Sequence, residues 1–256
     1  MSVLDLFKLE GKKAFVTGGA TGIGKCAAMT FAEVGADVAI VDIDFERAVK
    51  TAKEISEKTN TNSIAIDCDV SNPDDVKKMS DTILKEYGTL DIAFNNAGIA
   101  NSIPAEDITP EDFKKTMDVN LFGVFYTAQA AAKIMISQNK GGSIISTASM
   151  SAHIVNLPQT ISDYCASKAA VMHMTKALAV EWARFNIRVN CVSPGYIATE
   201  LVEFLKDMHQ HWIPRIPMGR LGKPDDLKAG ILYLASDASL YATGTDLVID
   251  GGYISI

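Results

Sequence analysis

Cysteine is scarce in this chain, with four residues among 256, and no two of them form a C-x-x-C pair of the kind that binds zinc or performs thiol redox chemistry. Basic residues are also in the minority, because 24 Lys and Arg against 31 Asp and Glu give a formal net charge of -7, which repels a phosphate backbone. We therefore expect free, buried thiols in a reducing cytosol and no nucleic-acid partner. The four cysteines are Cys26, Cys68, Cys165 and Cys191.

Long apolar segments are missing as well. Residues 1–13 mix charged and single apolar residues and lack the apolar core of a signal peptide, and nowhere do about twenty apolar residues follow one another without charge. Internal repeats, low-complexity tracts and Pro/Gly/Ser-rich linkers are absent too. We expect a cytoplasmic protein with no membrane partner that folds as one domain over residues 1–256.

What the sequence does contain is a regular alternation of short apolar strands with longer stretches of helical periodicity. Such alternation predicts a parallel sheet covered by helices on both faces, and right-handed crossovers make it doubly wound. The predicted fold class is therefore α/β, a single Rossmann-type domain with a seven-stranded parallel sheet flanked by helices. The predicted helices begin near Gly22, Glu46, Pro73, Pro110, Asp163 and Pro224. The predicted strands are Ala14–Thr17, Asp37–Asp42, Ser63–Cys68, Leu90–Asn95, Gly142–Thr147, Ile187–Val192 and Asp246–Asp250.

The least regular segment is 193–224, which holds four of the eight prolines and is a candidate substrate lid. It also contains the close pair His209 and His211, with His153 and His173 elsewhere in the chain. No cysteine or acidic residue stands at a metal-ligand spacing from these histidines, so we predict no metal site.

A glycine-rich segment, Thr17–Gly24, directly follows the first predicted strand and opens the first helix. Its glycines let backbone N–H groups approach a pyrophosphate, and the helix N-terminus adds partial positive charge. The position between strand and helix favours a dinucleotide site over a tight turn without a ligand.

The acidic residue Asp42 closes the second strand, where a carboxylate can accept hydrogen bonds from both ribose hydroxyls of the adenosine half of NAD. A 2′-phosphate at this position would be repelled, so the sequence favours NAD over NADP. The alternative role for Asp42 is a helix N-cap, which Asp44 could fill instead.

The glycine spacing of Thr17–Gly24 resembles the TGxxxGIG cofactor motif of the short-chain dehydrogenase/reductase family, and further motifs of that family follow in the same order. The resemblance covers the whole chain and implies a Rossmann fold, a nicotinamide cofactor and hydride transfer at a secondary alcohol or ketone. The segments that carry it beyond the glycine loop are Asn95–Gly98, Asn120, Tyr164–Lys168, Pro194–Thr199 and Asp250–Gly252.

The pair Tyr164 and Lys168, which resembles the family's YxxxK motif, has a physical reason to act together. A spacing of four on a helix places both side chains on one face. A free phenol titrates near pH 10, so an acid/base at neutral pH needs nearby positive charge to favour the phenolate. We predict Tyr164 as the catalytic acid/base and Lys168 as the cation that assists it and binds cofactor.

Two serines compete for the third catalytic position, which donates a hydrogen bond to the substrate oxygen. Ser151 lies thirteen residues before Tyr164, a spacing common in the family, whereas Ser149 is the residue indicated by a gap-free match of Gly142–Ser149 to the family's fifth strand. We assign Ser149 and keep Ser151 as a substrate-site residue. The resemblance further implies that Asn120 is catalytic, on a water-linked proton path that ends at Lys168.

The resemblance also supplies the remaining cofactor-site predictions. Asp69 and Val70 resemble the pair that contacts adenine in the family. The full predicted cofactor set is Gly18, Thr21, Gly22, Ile23, Gly24, Asp42, Asp69, Val70, Asn96, Tyr164, Lys168, Ile197 and Thr199.

The apolar helix predicted within Phe113–Ile136, together with the helix that carries Tyr164, corresponds to a dimer face in this family. Because a tetramer is the family's usual state, the resemblance implies a homotetramer.

The segment from Ser149 to Gln159 looks like that of the polyol dehydrogenase and ketose reductase branch, which includes mannitol, sorbose and xylulose enzymes. We therefore expect a polyol/ketose pair as the small-molecule substrate, with Asn156 and Gln159 among the hydroxyl-binding groups, unless both amides merely satisfy loop backbone. A 3-oxoacyl-thioester reductase or a hydroxysteroid dehydrogenase is the alternative within the family. A non-catalytic dinucleotide sensor is the alternative from another class, although sensors typically lose the Tyr or Lys that this chain keeps.

Overall fold

The computed structural model describes residues 2–203 and 205–256, and its centre is a parallel sheet with the strand order β3-β2-β1-β4-β5-β6-β7. Met1 of the predicted domain and Phe204 of the predicted lid lie outside the described residues. The predicted α/β class and the seven-stranded parallel sheet are confirmed. The strands are β1 Lys13–Thr17, β2 Asp37–Asp42, β3 Ile64–Asp67, β4 Ile92–Asn95, β5 Gly142–Thr147, β6 Ile187–Pro194 and β7 Asp246–Ile249.

Helices cover both faces of the sheet, and the predicted helix starts agree with the observed ones to within a few residues. The exception is the segment at Pro224, which begins as a 3-10 turn, Pro224–Leu227, before it becomes regular helix. The α-helices are α1 Gly22–Glu33, α2 Phe45–Thr59, α3 Pro73–Tyr87, α4 Pro110–Met117, α5 Val124–Gln138, α6 Ser162–Trp182, α7 Glu200–Glu203, α8 His209–Trp212 and α9 Lys228–Ala235.

Local signals explain where several helices begin. The Asn72 side chain accepts a hydrogen bond from the Asp74 N–H, and Pro73 occupies the first turn of α3, where its missing N–H costs nothing. Thr109 caps α4 in the same way, with Pro110 in the first turn. The capping residues and the prolines that follow them therefore determine where α3 and α4 begin, and both signals can be recognised in the sequence.

The core forms two apolar layers because neighbouring residues of a strand face opposite sides of the sheet. Val16 of β1 and Phe94 of β4 lie on one side, in the cluster that includes α1, α2 and α9 residues. Phe15 of β1 and Ala93 of β4 lie on the other, in the cluster with α3, α5 and α6 residues. All four are fully buried, as expected for strands covered on both faces.

The stretch Pro110–Gln138 is the one candidate membrane span in the described part of the chain by length and composition, with a mean hydropathy of 1.3 over its apolar window. Half of that window is buried inside the protein, where Ala128 and Met135 pack in the core below the sheet. The stretch is one continuous helical run that contains the helix predicted over Phe113–Ile136, but a π-helical segment, Asp118–Gly123, separates its α-helical parts α4 and α5.

Candidate active site

The glycine-rich loop lies where the sheet order reverses, since β1 is flanked by β2 on one side and β4 on the other. In open α/β sheets this switch point, at the carboxyl ends of the strands, is where ligands bind. Gly18 and Gly22 have positive φ values of 58° and 53°, which strain any residue with a Cβ. Gly22 also begins the twelve-residue helix α1, so Thr21 and Ile23 lie at a helix N-terminus suited to an anion.

Gly24 is required for a different reason, because its surroundings leave no space for a side chain. A Cβ at this position would run into the carbonyl oxygen of Gly18 and would lie 2.7 Å from Asn96 Nδ2. The first turn of α1 therefore packs directly against the backbone of the loop.

The loop is held to the neighbouring strands by Thr17 and Asn96. Thr17 Oγ1 accepts hydrogen bonds from the N–H groups of Asn96 and Ala97, at 2.9 and 3.1 Å. Asn96 Nδ2 donates to the carbonyl oxygens of Thr17 and Gly18, at 3.2 and 3.3 Å, and Thr147 Oγ1 donates to Asn96 Oδ1 at 3.2 Å. The Asn96 amide thus joins three strand ends, and its contact with cofactor stays a prediction.

The Asp42 carboxylate faces the glycine loop. Its Oδ2 accepts a hydrogen bond from the Ala20 N–H at 3.0 Å, and its Oδ1 accepts one from the Asp44 N–H at 3.0 Å. The helix-capping role belongs to Asp44, whose Oδ1 accepts from the Arg47 N–H at 3.1 Å at the start of α2. Asp42 is therefore not used as an N-cap, and its remaining lone pairs are open to a ligand.

The other predicted cofactor residues surround the same edge of the sheet. Val70 is buried against Gly123, and Asp69 Oδ1 accepts hydrogen bonds from the Ser71 N–H and Oγ, at 2.9 and 2.7 Å. Ile197 is buried. Thr199 lies over the glycine loop, since a Cβ on Gly22 would be 3.3 Å from Thr199 Cγ2.

Tyr164 and Lys168 lie on α6 as predicted, with Lys168 Nζ 5.7 Å from the centroid of the Tyr164 ring. Lys168 is only 3% exposed, and its Nζ donates a hydrogen bond to the Thr147 carbonyl oxygen at 2.7 Å. Burial lowers the pKa of Lys168 to about 8. Burial also raises the pKa of the Tyr164 phenol, and a hydrogen bond with Ser149 works against that rise.

Asn120 is fully buried in the π-helical segment, and its amide clamps the loop that follows β4. Its Oδ1 accepts from the Ile99 N–H at 2.8 Å, while Nδ2 donates to the Ile99 carbonyl and to Ser167 Oγ, at 2.9 and 3.1 Å. Gly98 separates Asn120 from Lys168, because a Cβ there would lie 3.2 Å from Asn120 Oδ1 and 3.4 Å from Lys168 Nζ. The proton path predicted for Asn120 stays a prediction.

Both candidate serines are buried near Tyr164 and belong to one chain of hydrogen bonds. Ser149 Oγ donates to Ser151 Oγ at 3.1 Å, and Ser151 Oγ donates to Asn156 Oδ1 at 2.6 Å. Asn156 Nδ2 then donates to Tyr196 Oη at 3.0 Å, and Tyr196 Oη donates to Gln159 Oε1 at 2.6 Å. The chain joins the residue that touches Tyr164 to both amides predicted for the substrate site.

These groups border a cavity of about 390 Å³ that Tyr164 also lines. Its apolar wall includes Val202, Leu205, Met208 and Trp212 of the predicted lid, 193–224. The cavity therefore combines one polar wall beside Tyr164 with one apolar wall, as small-molecule sites usually do. The lid role of 193–224 stays a prediction.

Sequence reasoning missed several residues of this site. Tyr196, Thr17 and Gly98 lie in segments that resemble family motifs, but the sequence assigns none of them an individual role, and Thr147 is predicted only as the last residue of a strand. Their roles depend on side chains that meet across different strands, for which the sequence offers no periodic signal.

The histidines do not come together. His153 Nε2 lies 2.6 Å from Asp246 Oδ2, and His209 Nε2 lies 3.3 Å from the Val202 carbonyl oxygen while its ring packs near Trp212. Within residues 2–203 and 205–256, no group of three or more His, Cys, Asp or Glu side chains could hold a metal ion.

The buried Lys168 ammonium is expected to lower the free energy of unfolding. A pKa lowered from 10.5 to about 8 means that the protonated side chain costs the fold up to about 3 kcal/mol near pH 7. Lys168→Met should therefore be more stable than the wild type by about 1–2 kcal/mol at pH 7, since the lost bond to Thr147 offsets part of the gain. Denaturant unfolding of both proteins without cofactor measures the difference.

The same pKa fixes how that difference depends on pH. Between about pH 8 and the unfolded value of 10.5, the unfolded chain binds the proton that the folded chain has released, so wild-type stability rises with pH. The advantage of Lys168→Met should shrink over this window. A pH-independent difference, or a variant less stable than the wild type at pH 7, would contradict the prediction.

A glycine-rich loop at the switch point of a parallel sheet, with a Tyr–Lys pair beside it, defines a dinucleotide-dependent oxidoreductase fold. Comparison with known proteins identifies the family. A family profile described as Enoyl-(Acyl carrier protein) reductase matches residues 18–254. The crystal structure of a short-chain type dehydrogenase/reductase from Mycobacterium marinum is 54% identical, covers 98% of this chain and 99% of that chain, and has a TM-score of 0.97.

Two curated relatives narrow the branch. A sorbose reductase from Candida albicans is 46% identical over 255 residues, which cover 98% of this chain and 90% of that protein. A probable NADP-dependent mannitol dehydrogenase from Yarrowia lipolytica is 44% identical over 255 residues, which cover 98% of this chain and 91% of that protein. The chain belongs to the short-chain dehydrogenase/reductase family, with relatives in its polyol dehydrogenase branch, and is an oxidoreductase that acts on alcohol or ketone substrates.

Proposed function

We propose that this protein transfers hydride between NAD(H) and a polyol/ketose pair. The observation that carries the proposal is the cavity beside Tyr164, where hydroxyl and amide groups of Ser149, Ser151, Asn156 and Gln159 follow one wall. A polyol carries hydroxyls on carbons next to the reacting one, and these need several hydrogen-bonding groups in a small site.

The residues present fit a nicotinamide dinucleotide. Gly18, Gly22 and Gly24 have no side chains, so a pyrophosphate can approach the backbone of the loop closely. The N-terminus of α1 begins at the same loop and adds partial positive charge. Asp42 keeps free lone pairs for ribose hydroxyls. When bound, the cofactor supplies or accepts the hydride.

The chain's own groups then handle the substrate oxygen. Tyr164 Oη donates its proton to that oxygen during ketone reduction and removes it during alcohol oxidation. Ser149, whose Oγ donates to Ser151 Oγ in the structure, turns the same proton toward that oxygen when substrate is bound. The Lys168 ammonium, 5.7 Å from the phenol ring, favours the phenolate that the oxidation direction requires.

Asp42 supports a preference for NAD(H) over NADP(H), because its carboxylate meets the 2′ position with negative charge. Arg47, the first arginine after Asp42 in the sequence, is held by Asp44 Oδ2 at 3.2 Å and by Glu200 Oε2 at 3.1 Å, so its charge is already paired. Because the Yarrowia relative carries an NADP-dependent name, the preference needs a direct test.

The expected result is a kcat/KM for NADH at least about 10-fold above that for NADPH, which corresponds to about 1.4 kcal/mol of charge repulsion. Asp42→Ser should narrow this ratio, mainly through the KM for NADPH. Glu46→Gln is the matched control, since it removes a carboxylate from the first turn of α2 without releasing Arg47 from Asp44, and the ratio should not change. A wild-type enzyme more efficient with NADPH would contradict the NAD proposal.

The substrate class is tested by assaying the wild type with a panel of polyols, ketoses, an acetoacetyl thioester and a 3-ketosteroid. The polar wall of the cavity favours polyols and ketoses as substrates. The thioester and the steroid are included because the lid wall is apolar and the matched family profile is that of an acyl-carrier-protein reductase. Strong activity on a thioester or steroid with none on polyols would overturn the proposed substrate. NADH binding without turnover of any compound would instead support a dinucleotide sensor.

We also propose a cytoplasmic homotetramer. The location is supported by four free cysteines. The assembly is supported by exposed apolar side chains on the segments that form the family's dimer face, Phe113 and Phe122 around α4 and Val180 on α6. Light scattering coupled to size exclusion measures the oligomeric mass, and microscopy of a tagged chain measures the location.

A further inference from the structure

We propose that Tyr196 is a positioning residue that holds the Gln159 amide with its Nε2 toward the substrate cavity, which makes Gln159 a donor to a substrate hydroxyl oxygen. This inference rests on the proposed polyol/ketose function and assigns one residue to the recognition of a hydroxyl away from the reacting carbon. It also separates the two amides of the site, Asn156 and Gln159, into different roles.

The hydroxyl of Ser151 has one proton to donate. That proton is donated to Asn156 Oδ1 at 2.6 Å, an atom that can only accept. The Asn156 amide is thereby oriented, with its Nδ2 toward Tyr196 Oη at 3.0 Å. Because an amide NH₂ can only donate, the Tyr196 oxygen must accept this bond.

Tyr196 is therefore left with its own proton, which it donates to Gln159 Oε1 at 2.6 Å. The Gln159 carbonyl oxygen is occupied by this bond, and no hydrogen bond within the described part of the chain occupies its Nε2. Gln159 is half-buried and lines the cavity, whereas Asn156 is 1% exposed and bonded at both ends. Gln159 is thus the amide that offers donors to a substrate.

The position of the Tyr196 hydroxyl is fixed by the packing of its ring. The ring stacks on Trp212 with centroids 4.2 Å apart and an interplanar angle of 11°, and Tyr253 contacts it edge-on at 5.4 Å. Tyr196 is 8% exposed, and burial raises the pKa of its phenol, so it remains a proton donor at neutral pH.

The test compares Tyr196→Phe with the wild type on the preferred polyol and on a secondary alcohol that has no second hydroxyl. The change keeps the ring and removes only the hydroxyl, so Gln159 loses the bond that orients it. The buried Asn156 Nδ2 loses its acceptor as well, a cost that falls on folding stability and is measured by denaturant unfolding. The KM for the polyol should rise about 3- to 10-fold, the loss of one neutral hydrogen bond, while kcat and both constants for the simple alcohol stay near wild type. Tyr87→Phe is the matched control, because its hydroxyl donates to the Asn62 carbonyl at 2.9 Å on another part of the surface.

Two further variants keep the proposal falsifiable if Tyr196→Phe folds poorly. Gln159→Leu removes the amide, and combined with Tyr196→Phe it should raise the polyol KM no more than it does alone, because Tyr196 acts through Gln159.

An unchanged polyol KM in Tyr196→Phe or Gln159→Leu, additive effects in the double variant, or equal losses on polyol and simple alcohol would overturn the proposal. These outcomes leave the polyol/ketose function intact, since the wild type would still turn over polyols. A wild type without activity on any polyol or ketose overturns the proposed function and this assignment together.

Discussion

Tyr164→Phe should lower kcat by about 10²- to 10⁴-fold, the usual contribution of a general acid or base. The substitution removes the hydroxyl that exchanges a proton with the substrate oxygen and leaves the ring beside Lys168 Nζ, 5.7 Å from its centroid. Because no contact with the glycine loop is changed, the affinity for NADH should remain within about 3-fold of the wild type. Steady-state kinetics and a fluorescence titration with NADH measure the two quantities.

The pH dependence of the reaction gives this prediction a second readout. Burial raises the pKa of Tyr164, so the phenol holds its proton at neutral pH and is ready to donate it to a ketone. Ketone reduction should therefore fall as pH rises toward that pKa, whereas alcohol oxidation, which needs the phenolate, should rise over the same range. Both trends should vanish in the residual activity of Tyr164→Phe. A variant within about 10-fold of the wild-type kcat would remove Tyr164 from the mechanism.

Much of the fold follows from patterns that a single sequence contains. The β1 and β4 strands are short apolar runs buried on both faces, and Pro73 and Pro110 mark helix starts, so local rules suffice to place them. The glycine loop was predictable for a similar reason, since the backbone conformation of Gly18 and Gly22 excludes other residues.

The helix predicted over Phe113–Ile136 shows where local rules stop. The chain widens into a π-helical segment at Asp118–Gly123, and there Asn120 bonds Ile99 and Ser167 from two other elements. This departure is fixed by tertiary contacts, and the apolar periodicity on either side gives no sign of it.

The polar wall of the cavity could be predicted only in part. Asn156 and Gln159 were identified because they lie in the loop between Ser149 and Tyr164, but the direction of their hydrogen bonds depends on Tyr196, about forty residues later in the chain. The order of donors and acceptors is a property of the folded cluster, because each group's proton is assigned only once its neighbours are known.

The second large effect is expected for Gly24→Ala, which should weaken NAD(H) binding by about 100-fold. A Cβ at this position would meet the carbonyl oxygen of Gly18, and Asn96 Nδ2 at 2.7 Å, so neither α1 nor the loop can keep its place. Helix propensity works in the opposite direction, since Ala favours a helix over Gly by about 1 kcal/mol. The prediction therefore states that local packing outweighs propensity, and calorimetric titration with NADH measures the result.

Gly88→Ala is the control for this change, because Gly88 has a φ of 72° with nothing within 4 Å of the added Cβ. It should lower the melting temperature through backbone strain without changing NADH affinity. Gly24→Ala should instead remain folded by circular dichroism and lose most of its affinity for NADH. The reason is that the displaced backbone is the part that faces the pyrophosphate. Wild-type affinity in a folded Gly24→Ala would mean that the loop does not bind the dinucleotide through its backbone.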